Sequence, residues 1–194
     1  MLLAAADSAG DPVLIWRAAA ALGLSPEAGG AAEEADLLSV GVRIAFRHPL
    51  VRSAVYRPAA PESRRRVHQA LADATCAQTD PDRRAWHLAH ATEGRDDHVA
   101  AELESSAGRA QARGGLAAAA AFLERAATLT ADPELRAERE LGAARNKVHA
   151  GAPTGPGSCS TGWRPGRPTN CARPTSASCA AISRSPPETS PRPR

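Results

Sequence analysis

The chain has 194 residues, a formal net charge of +3 and 3% aromatic residues. This length suffices for one domain, or for two small ones, with a buried core. The sequence has no apolar run of about 18 residues and no basic start followed by a long apolar core, so we expect neither a membrane span nor a signal peptide. The predicted location is the cytoplasm.

Residues 1–58 predict a winged-helix-like unit. Pro12 and Pro26 each follow a residue that can cap a helix, and each opens a helical segment. Residues 37–40 can pair with residues 42–46 as two short strands. The hairpin leads into a third helix, and this order of two helices, a hairpin and a helix is the winged-helix-like pattern.

The second strand runs directly into the third helix, and His48 lies at the junction. Apolar and polar residues alternate up to Phe46, which is the period of a strand with one buried face. Pro49 then has the φ angle of a first helical position, and the apolar spacing becomes helical. We expect the core of the junction to contain Val42, Ile44, Phe46, Leu50 and Val55.

Residues 59–150 predict an array of antiparallel helix pairs, so the predicted fold class is mostly α. Four helix start signals and a glycine pair divide this Ala-rich segment, at Pro61, Pro81, Asp96, Gly114-Gly115 and Pro133. One helix has the small, large, small spacing of the second helix of a tetratricopeptide unit, at Ala119, Leu123 and Ala126. The array is therefore predicted to be tetratricopeptide-like.

The last predicted helix carries an apolar stripe, formed by Ala137, Leu141, Ala144 and Val148. A stacked repeat needs a neighbouring or capping element on each side, and the helical pattern stops near residue 150. We therefore expect this helix to fray, or the chain to associate with itself through it.

Residues 151–194 differ in composition from the rest. They contain no Leu, Val, Phe, Tyr or Met, hold nine of the sixteen prolines, and carry six basic residues against one Glu. Such a segment buries too little apolar surface to offset its chain entropy, so we expect disorder. It is either a natural basic tail or, as we prefer, the product of a frameshift in a GC-rich gene. Three of the four cysteines lie here without a Cys-x-x-Cys pair, which favours reduced thiols over a zinc site or disulfides.

Three stretches resemble a known family: Phe-Arg-His-Pro-Leu-Val-Arg-Ser-Ala-Val-Tyr at 46–56, Glu-Ser-Arg-Arg-Arg-Val-His at 62–68 and Arg-Ala-Trp-His-Leu-Ala at 84–89. Together they resemble the middle region of the large LuxR-type transcriptional regulators of actinobacteria, which belong to the signal-transducing ATPases. Those regulators have an N-terminal ATPase module, a winged-helix and tetratricopeptide-like middle, and a C-terminal LuxR helix-turn-helix. The resemblance covers residues 1–150. The motifs of the N-terminal ATPase module and of the C-terminal helix-turn-helix are missing from this sequence.

The resemblance implies a nucleotide-sensing role for His48, with Arg47 and Arg52 as supporting charges. In these ATPases a winged-helix histidine in a similar position touches the phosphates of bound ADP, and a helix N-terminus favours a phosphate. This sequence has no G-x-x-x-x-G-K-[ST] loop, so another polypeptide would have to hold the nucleotide. We expect no cofactor in this chain, whereas the intact family binds ATP or ADP.

A basic helix face follows the junction and is a weaker candidate. It can contact the phosphates of a nucleic acid, although a hydrated face paired with the nearby Glu62 and Asp73 is the commoner arrangement. The residues of this face are Arg64, Arg65, Arg66 and His68.

His87 and His90 lie three residues apart on a predicted helix, a spacing that can hold a metal ion. A third ligand such as Glu93 or His98 would be needed, and there is no H-E-x-x-H motif. We predict no metal site here, and we interpret the neighbouring Trp86 as a core residue rather than a ligand platform.

The sequence therefore predicts the sensor and coupling region of a LuxR-family regulator, present as a fragment without catalytic activity of its own. In the intact family DNA is bound by the C-terminal domain, and a protein partner or effector would bind the helical array. One alternative is a free-standing helical-repeat scaffold that binds a protein partner on its concave face. A distant alternative is a metal hydrolase that uses His87 and His90.

Overall fold

The computed structural model describes residues 1–151, with the backbone alone for Pro26. Within this range the chain forms nine α-helices, one 3₁₀ turn and one two-stranded sheet. In chain order these are α1 (Leu2–Ala6), α2 (Pro12–Ala21), the 3₁₀ turn (Pro26–Gly29), α3 (Gly30–Glu34), β1 (Leu38–Val40), β2 (Ile44–Phe46), α4 (Pro49–Tyr56), α5 (Pro61–Ala74), α6 (Pro81–Ala91), α7 (Asp97–Ala112), α8 (Leu116–Leu129) and α9 (Pro133–His149).

The mostly α fold class is confirmed. Within residues 1–151 no helix is long and apolar enough to cross a membrane. The disorder and the frameshift predicted for residues 151–194 concern positions that, except for Gly151, lie outside the described residues.

Aspartate caps open four of the longer helices. The carboxylate of Asp11 accepts hydrogen bonds from two N–H groups in the first turn of α2, and Asp80 accepts one in α6. The same arrangement opens α7 and α9, at Asp96 and Asp132. These bonds satisfy amides that have no partner within the helix, so the helix starts predicted at these positions are confirmed.

The N-terminal region differs from the prediction in two respects. The sequence pattern does not predict α1, because a five-residue helix is too short to display helical periodicity. The helix expected after Ser25 is a 3₁₀ turn followed by the five-residue α3. Ser25 makes no capping hydrogen bond, and Gly29 and Gly30 lie where the two short segments meet.

The predicted hairpin is confirmed, with Leu38 opposite Phe46. Val42 is 98% exposed because the second strand begins only at Ile44, so its predicted place in the core is wrong. The N–H group of Ile44 donates to the carbonyl oxygen of Gly10 at 2.8 Å. Gly10 has a φ of +66°, and a Cβ atom there would lie 2.3 Å from the Ile44 carbonyl oxygen, so this contact requires glycine.

Helix α4 lies at the surface and has no fully buried residue. Leu50 is 70% exposed, so its predicted place in the core is also wrong. Phe46 and Val55 are half-buried, and Phe46 and Tyr56 pack against the cluster described next. The junction is therefore a partly covered edge of the fold rather than its centre.

The buried apolar side chains form two clusters. The first joins α1, α2, α3, the hairpin and α5, and includes Leu3, Leu14, Ile15, Leu38, Ile44, Val67 and Leu71. The second lies within α6–α9 and includes Ala89, Leu103, Ala119, Phe122, Ala126, Leu129 and Ala143. Helix α5 contributes to the first cluster although it follows the unit boundary predicted near residue 58, and that boundary stays a prediction.

Helix α8 lies between α7 and α9 and packs against both. Its small, large, small residues are buried as the sequence indicates, with Ala119, Leu123 and Ala126 at most 9% exposed. Small side chains let the helix axes approach closely. The next helix differs, because α9 turns Arg139, Ala143 and Asn146 inward and exposes its apolar stripe.

Candidate functional site

His48 caps the N-terminus of α4, as the junction in the sequence indicates. Its Nδ1 atom accepts a hydrogen bond from the N–H group of Leu50 at 3.1 Å, and its side chain is exposed. An Nδ1 acceptor places the proton of the neutral ring on Nε2. The junction therefore presents an imidazole N–H group to solvent at a helix N-terminus, where an anion is favoured.

The two arginines associated with His48 point to different neighbours. Arg47 pairs with Asp36 at 2.8 Å, and both side chains are 69% exposed. Arg52 donates from Nε to the carbonyl oxygen of Ala5 at 2.8 Å, which ties α4 to the end of α1. Arg47 is thus exposed and paired with Asp36, whereas Arg52 holds two helices together.

The basic face of α5 is partly occupied by contacts within the chain. The guanidinium of Arg64 lies over the Tyr56 ring, 5.6 Å from its centre, and Arg65 pairs with Glu93 at 3.4 Å. The pairing expected with Glu62 and Asp73 is replaced by this contact with the loop after α6. Arg66 is exposed, and a role of the three arginines in nucleic-acid contact stays a prediction.

His68 does not belong to this exposed face, because it is only 2% exposed. Its Nε2 atom lies 2.7 Å from the Tyr56 hydroxyl, and its Nδ1 atom lies 3.0 Å from Nδ1 of His87. His87 is also 2% exposed, and its Nε2 atom lies 3.7 Å from a carboxylate oxygen of Asp7. Four elements thus contribute to a buried polar chain that runs from Tyr56 through two histidines to Asp7.

Asp7 anchors this chain. Its carboxylate accepts a hydrogen bond from the Gly10 N–H group at 2.7 Å and another from Nε of Arg83 at 3.0 Å. A second Arg83 nitrogen lies 2.7 Å from the same carboxylate, and the two side chains are 2% and 13% exposed. Burial alone would raise the pKa of Asp7, but His87 and the Arg83 guanidinium outweigh it and hold that pKa well below its usual range.

The contact between His87 and Asp7 is longer than the others in this polar chain. The Nε2 atom of His87 lies 3.7 Å from the carboxylate, beyond hydrogen-bond distance, and has no hydrogen-bond partner within the described residues 1–151. The contact between the two Nδ1 atoms requires one ring to donate and the other to accept. Hydrogen bonds therefore join Tyr56 to the two histidines, and a longer contact joins His87 to Asp7.

Burial keeps His68 and the neighbouring His90 neutral. It lowers the pKa of His68 to about 2, with further contributions from His90, His87 and nearby arginines. It also lowers the pKa of His90 to about 4. Burial raises the pKa of Tyr56, so the phenol keeps its proton. The arrangement is closed to dissolved substrates, since the rings of His68 and His87 are both buried.

His87 and His90 do not form a metal centre with each other. His87 faces Asp7 and His68, whereas the Nδ1 atom of His90 lies 2.9 Å from the Trp86 carbonyl oxygen and its ring packs beside Trp86. Among residues 1–151 no group of three or more His, Cys, Asp or Glu side chains could hold a metal ion. Trp86 packs against the second cluster, which agrees with its interpretation as a core residue.

A groove of about 520 Å³ lies between α7 and α9. Its floor contains Leu123 of α8, and its walls include Gly108 and Gly142. The rim is polar on both sides, with Glu104, Gln111, Arg145 and His149. Opposite walls are linked by Gln111, which donates to Asn146 at 2.8 Å.

The sequence indicates the His48 junction but not the buried polar chain. Its members lie at positions 7, 56, 68, 83 and 87, so no local spacing connects them. The available signal is that His68 lies beside Val67 and Leu71 on one helix face and that His87 lies between Ala85 and Ala89. A polar residue on a buried face needs a buried partner.

Neither a protein-family model, nor a curated protein, nor a solved structure matches this chain.

Proposed function

We propose that this chain is the sensor and coupling region of a LuxR-type transcriptional regulator, without catalytic activity of its own. In this proposal residues 1–58 form a winged-helix-like unit and residues 59–150 form a tetratricopeptide-like array. The observation that carries it is the junction at His48, where an exposed imidazole caps α4 directly after a β-hairpin. Arg47 precedes His48 in the sequence, and its exposed side chain pairs with Asp36.

The physical basis is the affinity of such a junction for phosphate. The first turn of α4 has the partial positive charge of a helix N-terminus, and the imidazole N–H group can donate to a phosphate oxygen. A nucleotide held by an ATPase module would contact His48, and binding of a partner or effector to the array would alter that contact. In this proposal DNA is bound by the LuxR helix-turn-helix of the intact regulator and not by these residues.

The proposal is tested by supplying the ATPase module of a LuxR-type regulator as a separate protein. The full chain should bind that module more tightly with ADP than with ATP, as measured by isothermal titration calorimetry. His48→Ala should reduce this ADP preference about tenfold, which corresponds to 1.4 kcal/mol.

His98→Ala is the matched control, because this histidine is also exposed but lies on α7. It should leave binding and nucleotide preference unchanged. Equal binding with both nucleotides, or equal effects of the two substitutions, would contradict the proposal. Translation of the flanking DNA in all frames is an independent check, since a coding sequence for an ATPase is expected upstream and one for a helix-turn-helix downstream.

The second candidate function is a free-standing scaffold, favoured by the groove between α7 and α9. An extended peptide could lie on Leu123, and its polar groups could bind the charged rim. A Cβ atom added at Gly108 meets nothing within 4 Å, so Gly108→Leu fills the groove without disturbing the helix packing.

Peptides selected on the purified full chain from a displayed library test this function. They should bind Gly108→Leu at least about tenfold more weakly and should bind Ala101→Leu normally, because Ala101 is exposed on α7 outside the groove lining. Peptides that bind both variants equally would exclude the groove as their site.

A further inference from the structure

The outward side of α9 carries an apolar stripe that the rest of residues 1–151 leaves uncovered. Leu141 is 52% and Val148 is 62% exposed, and Ala137 and Ala144 are exposed between them. The opposite side of the helix packs on α8 through Ala143. The four stripe residues are spaced alternately by four and three positions, which is the spacing of a helix that pairs with another helix.

The charges beside the stripe are divided between the two halves of the helix. At 3.6 residues per turn, Glu138 and Arg145 lie on one flank of the stripe, and Glu140 and Lys147 lie on the other. On each flank the acidic residue precedes the basic residue in the sequence. Glu138 and Arg145 are exposed and form no ion pair within the described residues 1–151. Lys147 already contacts Glu124 of α8.

We propose that a second copy of this chain covers the stripe, with the two α9 helices antiparallel about a two-fold axis. In an antiparallel pair Leu141 packs against the partner's Ala144, and Ala137 packs against the partner's Val148. The same register brings Glu138 beside the partner's Arg145, and Glu140 beside the partner's Lys147. The two-fold axis repeats every contact, so the flank with Glu138 and Arg145 gains two pairs of opposite charges. On the other flank Glu140 of each copy approaches a Lys147 that already contacts Glu124.

The antiparallel direction follows from the charges. A parallel pair would place Glu134 beside the partner's Glu134 in line with the stripe, and it would also align the two helix dipoles unfavourably. In the antiparallel pair the positive end of each helix lies beside the negative end of the other. Because one sequence supplies both halves of each charge pair, its best complement is a second copy of itself.

The contact area limits the affinity. The stripe contains two large apolar side chains and two alanines, so the pair is smaller than a standard interface and should form weakly and reversibly. This inference does not depend on the function proposed above, since it uses only the exposed face of α9.

Sedimentation equilibrium of the full chain from about 1 µM to about 1 mM tests the proposal, because weak dimers populate this range. A reversible monomer to dimer equilibrium is expected. Glu138→Arg and Arg145→Glu should each weaken it at least about tenfold, and an equal mixture of the two variants should recover association. Leu141→Glu should abolish it. Circular dichroism identical to that of the wild type shows that each variant is folded.

The helix direction is tested with all four cysteines replaced by Ser and a single new cysteine in each of two proteins. Oxidation of a mixture of Ala137→Cys and Val148→Cys should give the mixed disulfide. A dominant disulfide between two copies of Val148→Cys would overturn the antiparallel arrangement. A monomer over the whole concentration range, or charge variants that associate as the wild type does, would overturn the proposed second copy and would indicate that another segment or partner covers the stripe.

Discussion

The two apolar clusters of this protein are stabilised in different ways. The first cluster depends on contacts between distant parts of the chain, including the pair of Asp7 and Arg83, which are 76 residues apart. The second is built from successive helices whose buried faces are mostly alanine, such as Ala100, Ala119 and Ala126, each 0% exposed. A few charged groups should therefore decide the stability of the first region, whereas close packing shared by many residues should decide that of the second.

The polar chain from Tyr56 to Asp7 lies where these two regions meet. Tyr56 and His68 belong to α4 and α5, which pack with the first cluster, and His87 lies on α6, whose other side chains join the second. Substitutions in this polar chain of side chains and substitutions in helices α6–α9 can therefore distinguish stabilisation by charged groups from stabilisation by close packing.

The largest effect is expected for Asp7→Asn. The substitution removes the carboxylate charge nearest to Arg83 and leaves this guanidinium only the longer contacts to Asp11 at 3.7 Å and to Asp80 at 3.9 Å. Breaking a buried ion pair in this way costs about 3 kcal/mol. Urea unfolding of wild type and variant at pH 7 measures the change in the free energy of unfolding.

Asp36→Asn is the matched control for this substitution. Asp36 pairs with Arg47, but both side chains are 69% exposed, so the loss should be below about 1 kcal/mol. Asn also tolerates the positive φ of 53° at this position. Equal losses at positions 7 and 36 would contradict the buried ion pair.

The second effect is a loss of stability in mild acid. Unfolded His68 and His90 take up protons as the pH falls below the ordinary value of 6.5, whereas the folded pKa values are about 2 and about 4. The unfolded state then binds more protons, so the free energy of unfolding decreases from about pH 6.5 to about pH 4 for His90 and to lower pH for His68. Between pH 7 and pH 5 we expect a total loss of about 2 to 4 kcal/mol.

Unfolding of the wild type and of His90→Gln at both pH values measures this dependence. The variant should lose less stability between pH 7 and pH 5, since one buried imidazole is gone. His98→Gln is the control and should behave as the wild type, because the His98 side chain is 83% exposed. An unchanged pH dependence in His90→Gln would show that this ring accepts a proton in the folded state.

The third effect tests packing in the array. Ala126→Leu places a larger side chain where α8 has no free space, since Ala126 is 0% exposed, and overpacking of this kind costs about 1 to 3 kcal/mol. Ala117→Leu on the exposed side of the same helix should change the stability by less than about 0.5 kcal/mol. Similar melting temperatures for the two variants would contradict close packing of α8.

The smallest effect is expected at His48. His48→Ala removes the cap of α4 and should cost about 0.5 to 1 kcal/mol, whereas His48→Asn supplies another capping side chain and should cost less. Thermal unfolding compares the two. A loss several times larger would show that His48 is a core determinant and would weaken its use as a probe of nucleotide sensing.

Much of the fold follows from local sequence. The aspartate and proline residues that open α2, α6 and α9 act within their own first turn, so their effect is visible in the sequence. The hairpin and its junction with α4 are equally local. The residues whose predicted place in the core is wrong are apolar ones near the surface. Val42 and Leu50 have core-like spacing but lie where no other element of residues 1–151 covers them.

In the candidate site too, local sequence identifies some residues, whereas the roles of others depend on contacts with distant segments. His48 and Arg47 are identified from a short motif, and both lie at the exposed junction. The role of Arg52 is not visible in that motif, because its partner is a carbonyl group of α1. Likewise His68 follows three arginines and has the sequence context of a basic face, but the packing of α5 on α6 turns its ring inward.

By itself the sequence determines where the longer helices begin, that the two strands pair, and which face of each array helix is apolar, because these properties arise from neighbouring residues. Only the tertiary structure decides that Asp7, His68, His87 and Tyr56 form one chain, and that α9 buries Arg139 and Asn146 while it exposes Leu141. The reason is that burial of a polar group depends on a partner supplied by a distant segment, and no local pattern records that partner.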